Sequence, residues 1–144
     1  MTAAAGSRAA VLDEARGWLG TPYHHQGRLK GVGVDCAMIL CEVYHAAGLI
    51  PQVDPRPYPP DWHLHRDEER YLGWLYAYGQ PTDAPRPGDV GLWHFGRCFS
   101  HGGIMVSDVE VIHAYLRQGV VLSRIDAPPL VGRAVKFFTL WETD

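Results

Sequence analysis

Asp35-Cys36-Ala37-Met38-Ile39-Leu40-Cys41-Glu42-Val43-Tyr44-His45-Ala46-Ala47-Gly48 is the stretch whose reading decides the fold. Asp35 can cap a helix, because its carboxylate accepts amide protons that a first turn leaves unbonded. Gly48 can close the helix in the left-handed conformation. Apart from Glu42 and His45, almost every position between them is apolar or small. A helix with so narrow a polar stripe is buried on most sides, so this segment is predicted to be the central core helix. Cys36 falls in its first turn. A thiolate there faces unpaired amide donors and the positive end of the helix dipole, which favour the charged, nucleophilic form. The competing reading is a small core hydrophobe, a common fate for a cysteine.

Toward the N-terminus, Ser7 is placed as a helix cap, and Val11, Leu12, Ala15, Trp18 and Leu19 follow the spacing of one buried stripe. Gly20 and Pro22 end that helix. Thr21 to Val34, rich in glycine and polar residues, reads as a loop.

Toward the C-terminus, residues 51–60 hold five of the chain's eleven prolines and are predicted to be an extended surface loop anchored by Tyr58 and Trp62. A further helix is expected over Asp67 to Tyr78, ended by Gly79. After the turn cluster Pro85-Arg86-Pro87-Gly88-Asp89 come short β-branched and aromatic runs at 90–95, 102–106, 109–115, 119–124 and 133–138. Their close spacing favours an antiparallel meander. Helices first and strands afterwards give an α+β class, with the N-terminal helices packed on one face of an antiparallel sheet of about five strands.

The 144 residues, 47% hydrophobic and 20% charged, fit one globular domain over 1–144 with a Pro- and aromatic-rich insertion at about 50–80. A net charge of −3 argues against generic nucleic-acid binding. No apolar run approaches the ~20 residues that cross a bilayer, so no membrane insertion is expected. Residues 2–10 lack the pattern of a secretory signal, and three cysteines argue against a disulfide framework. Synthesis in a reducing cytoplasm is the expectation.

A nucleophilic cysteine needs an imidazole within reach and a group to orient it. His101 and His113 bracket a predicted hairpin and lie twelve residues apart. A three-residue loop at Val106-Ser107-Asp108 sets His101 opposite His113, with both rings on one sheet face. Gly102 and Gly103 then leave room for a substrate backbone or the tip of the Cys36 helix.

These residues resemble the NlpC-type cell-wall cysteine endopeptidases. Four stretches carry the likeness in order: Ala15 to Tyr23, Gly33-Val34-Asp35-Cys36, Arg86-Pro87-Gly88-Asp89-Val90, and Ser100 to Met105 with Val111-Ile112-His113-Ala114. Residues 55–66 further resemble the bacteriophage tail-associated branch. The resemblance implies a papain-like fold and hydrolysis of a peptidoglycan stem peptide, typically between D-glutamate and diaminopimelate. It implies Cys36 as nucleophile, His101 as general base and acid, and His113 as the group orienting His101. It implies substrate contacts from Tyr23, Asp35 and Gly102, a share of the oxyanion hole from the Cys36 amide, and no cofactor or metal. The phage branch implies delivery by a virion tail tip to the cell wall, with tail-hub proteins as partners. The sequence departs from the family at Ala37-Met38, where a small pair such as Ser-Gly is usual, and the bulk of Met38 bears on helix packing and cleft width.

Three rival readings compete with this one. Cys98 and His101 have a C-x-x-H spacing, but Cys36 and Cys41 diverge by about 140° on a helix and give no second ligand pair for zinc. The His24-His25 and His63/His65 pairs read as solvated loop histidines. A structural tail-tip or hub protein that keeps the fold with little activity is the alternative function, and an acyltransferase on the same scaffold is the third.

Overall fold

A computed structural model of the chain describes residues 3–52, 77–96 and 98–141. The expectations for the proline-rich loop, its anchors Tyr58 and Trp62, and most of the helix over 67–78 lie outside those residues. Ala77 and Tyr78 are helical and Gly79 follows them.

Helix α1 runs Arg8–Gly17, and the Ser7 hydroxyl accepts the Ala10 N–H at 3.1 Å, as its cap position predicts. Val11, Ala15 and Trp18 are buried, whereas Leu19 is 43% exposed, because the helix has ended by then and the turn swings it outward. Gly20 takes the left-handed φ of +87°. The segment read as a loop carries two short antiparallel strands, β1 (Arg28–Leu29) and β2 (Gly33–Val34). Two-residue strands leave no periodicity to detect.

Helix α2 spans Cys36–Ala46. Met38, Ile39, Leu40, Val43 and Tyr44 are at most 1% exposed, and burying each such side chain contributes about 1.5–3 kcal/mol. Met38 therefore points into the core and does not narrow a cleft. Glu42, one of the two polar exceptions, pairs with Arg28 of β1 and ties that ribbon to the helix.

The remaining strands are β3 (Gln80–Pro81), β4 (Val90–Phe95), β5 (Cys98–Met105), β6 (Glu110–Tyr115), β7 (Gly119–Arg124) and β8 (Val135–Thr139). They form one antiparallel sheet in the order β3-β8-β4-β5-β6-β7. The meander expectation holds from β4 to β7. The last strand departs from it: β8 crosses back to pair with β4, and β3 adds a sixth strand beside it. The turn at 86–89 feeds β4, with the Arg86 N–H donating to Asp89 Oδ2 at 2.8 Å. Arg8 of α1 reaches that turn, donating to Asp89 Oδ1 at 2.9 Å and to the Pro87 carbonyl at 3.0 Å.

Alternation assigns the two sheet faces. Val90, Leu92, Ile104, Ile112, Ala114, Val120 and Phe138 join the helices in the main core. On the opposite face Trp93, Met105, Val111 and Leu130 form a second, smaller core.

Candidate active site

The site is assembled where the tip of α2 meets the beginning of β5. Asp35 is 2% exposed and accepts the Ala37 and Met38 N–H groups on Oδ1 at 3.1 and 2.9 Å. Its other oxygen accepts the Gln26 N–H at 2.8 Å. One carboxylate thus sets the start of the helix and pins the preceding loop. Cys36, the next residue, is half-buried, and its thiol donates to the Ser100 carbonyl at 3.8 Å.

Ser100 occupies that place because β5 is irregular there. Trp93 pairs with His101 but His94 pairs with Phe99, so Ser100 is an extra residue in the ladder. Such a bulge re-aims the strand locally. It turns Phe99 onto the helix side, where it packs on the main core, while His101 stays on the face of Trp93. The thiol therefore meets the sheet at the peptide immediately before His101. Nothing in the residue pattern around 98–101 signalled this bulge.

Tyr23 completes the near side. It bridges in parallel to Val34, and its phenol lies close to Cys36. Burial, then the neighbouring Cys36 and Asp35, push its pKa well above the ordinary phenol value of 10, so it remains a proton donor at any physiological pH.

On the far side, His101 is 7% exposed and His113 fully buried, and a 2.7 Å hydrogen bond joins His101 Nε2 to His113 Nδ1. The expected register is corrected here. Ile104 pairs with Ile112 and Met105 with Val111, which sets Gly103, not His101, opposite His113. The loop is longer than three residues because the Ser107 hydroxyl accepts the Val109 and Glu110 N–H groups at 3.2 and 3.1 Å and builds a wider turn. A shift of two residues conserves parity, so both rings still lie on one face and meet diagonally.

Gly103 is essential to that meeting. A Cβ there would sit 2.6 Å from Val111 Cγ2 and 3.1 Å from His113 Cβ. The space is filled by β6, not left open for substrate. Gly102 is buried and pairs with Leu92.

Burial pushes the His113 imidazole down from its ordinary 6.5 to about 4, so it is neutral at pH 7. Its Nε2 lies 2.8 Å from Ser123 Oγ on β7. Ser123 carries no signature of its own in the sequence. The only available signal is parity: Val121 pairs with His113, so Ser123 shares its face. Aromatic rings wall the pair, with Phe95 4.9 Å and Tyr115 5.7 Å from the His101 ring centre.

Two helices on an antiparallel sheet, with a cysteine at a helix tip beside a strand-borne histidine pair, define a papain-like α+β protein. Residues 20–138 match the NlpC/P60 family, and the chain belongs to that family. Its members are cysteine peptidases and peptidoglycan hydrolases, which supports a cell-wall peptidase role. Among solved structures, the chain is similar to the NlpC/P60 domain of the peptidoglycan hydrolase SagA, with a TM-score of 0.60 at 18% identity over 90% of this chain and 97% of that one. It is also similar to an NLP/P60 family protein, described as similar to a lipoprotein, from Staphylococcus aureus. There the TM-score is 0.62 at 18% identity, over 94% of this chain but 42% of the other. The P60 domain of a Mycobacterium avium subspecies paratuberculosis antigen gives 0.57 at 19% identity, covering 94% and 96%. No curated protein matches the chain.

Proposed function

We propose that this protein is a cysteine endopeptidase that cleaves peptidoglycan stem peptides, with Cys36 as nucleophile, His101 as general base and acid, and His113 as the group orienting His101. The observation that carries this reading is the Cys36 thiol lying against the Ser100 carbonyl, one residue before a histidine hydrogen-bonded to a second histidine. In the first step His101 takes the thiol proton and the Cys36 sulfur attacks the scissile carbonyl carbon. The tetrahedral oxyanion is met by the Cys36 amide at the start of α2. His101 returns the proton to the leaving amine, and the thioester left on Cys36 is hydrolysed by a water that His101 deprotonates. Tyr23 lines the cleft beside the sulfur. Asp35 acts through the loop and helix tip it holds, and Gly102 through the β5 backbone that carries His101.

Within this reading the bond cut lies between D-glutamate and diaminopimelate, and the enzyme travels on a phage tail tip, bound to hub proteins, to act in the cell wall. The first rests on the motif resemblance and the second on residues 55–66. The test is mass spectrometry of purified peptidoglycan digested by wild type and by Cys36→Ala. New stem-peptide termini at that bond, absent with the variant, support the reading; undiminished digestion by Cys36→Ala overturns it. Finding the protein exported alone through a host secretion route, and not in purified virion tails, overturns the tail assignment.

A further inference from the structure

The hydrogen-bond chain does not stop at the second histidine. It runs from His101 Nε2 to His113 Nδ1 at 2.7 Å and from His113 Nε2 to Ser123 Oγ at 2.8 Å, across three neighbouring strands. We propose that Ser123 is a positioning residue, whose hydroxyl locks His113 in the tautomer that lets it accept a proton bond from His101. This role rests on the reading of Cys36 and His101 as the working pair.

The chain of reasoning is one of donors and acceptors. When His101 holds the thiol proton it is an imidazolium, and both its nitrogens are donors. Its Nε2–H points at His113, so His113 Nδ1 must present a lone pair. His113 is fully buried and stays neutral, so it carries one proton, and that proton must sit on Nε2. Ser123 Oγ lies at hydrogen-bond distance from that nitrogen and accepts from it. The opposite arrangement, with the Ser123 hydroxyl donating to Nε2, places a proton on His113 Nδ1. Two donors would then face each other at 2.7 Å whenever His101 is charged, and the thiolate–imidazolium pair would lose its support. With Nε2 of His101 engaged by His113, a proton exchanged with the sulfur must pass through Nδ1. A serine suits the task because its hydroxyl accepts while adding no charge beneath His113. An aspartate there would favour a second proton on His113, and the Nδ1–H of that imidazolium would oppose the proton that His101 must share.

The test has two arms. Nitrogen-15 NMR of the wild-type protein at pH 7 is expected to show His113 protonated at Nε2 and bare at Nδ1. Kinetics on soluble stem-peptide fragments are expected to show kcat/KM falling by about 10- to 100-fold in Ser123→Ala with KM nearly unchanged, and returning to within about threefold of wild type in Ser123→Thr. Thr keeps the hydroxyl and suits a strand, so its rescue separates the hydrogen bond from packing. A wild-type His113 carrying Nδ1–H overturns the tautomer lock alone, as does full activity in Ser123→Ala. An active Cys36→Ala variant overturns the peptidase reading and with it this role.

Discussion

His113 makes stability depend on pH in a way that can be worked out from its surroundings. The ring is fully buried between β5 and β7 strand partners, and burial lowers its proton affinity from an ordinary pKa of 6.5 to about 4. In the unfolded chain the ring regains water and titrates near 6.5. Between those values the unfolded state binds more protons than the folded one, so stability falls as the pH drops through 6.5 and levels off below 4. The full difference corresponds to about 3 kcal/mol, of which about 2 kcal/mol is gone by pH 5. Replacing the ring with an amide, His113→Asn, removes the titration while keeping polar atoms between His101 and Ser123. Urea unfolding of wild type and variant at pH 7, 6 and 5 isolates this residue, since carboxylates common to both cancel. Wild type is expected to lose about 2 kcal/mol more than the variant over that range. Parallel losses in the two proteins would refute the argument from burial.

Two further predictions concern the framework of the site. Asp35→Ala removes an acceptor shared by two helix-tip amides and the Gln26 amide, and is expected to cost about 2 kcal/mol in thermal or urea unfolding, with Asp35→Asn costing less. Equal stability of Asp35→Ala and wild type would show that water replaces the cap. Gly103→Ala forces a methyl group into Val111 and the His113 Cβ, so it should destabilise by about 1–3 kcal/mol and displace the His113 resonances, read by chemical denaturation and NMR. An unshifted His113 would show that β6 does not need the close approach.

Local chemistry made much of this protein legible without coordinates. Ser7 and Asp35 cap helices because short polar side chains satisfy first-turn amides whatever lies beyond them. The uniform apolarity of α2 states its burial, and the strand runs at 90–95 and 119–124 coincide with β4 and β7, because alternation and β-branching act within a few residues. The identities of Cys36, His101 and His113 were likewise visible as residue types at telling positions. What pairs with what was decided by the tertiary structure. The return of β8 to β4, the two-residue register shift between His101 and His113, and the bulge at Ser100 all depend on contacts between segments far apart in the chain. Ser123 had no signature of its own, since a serine on a strand becomes a hydrogen-bond partner only once β6 and β7 are in register. Periodicity names the face a side chain takes; only the packed sheet selects which neighbour waits there.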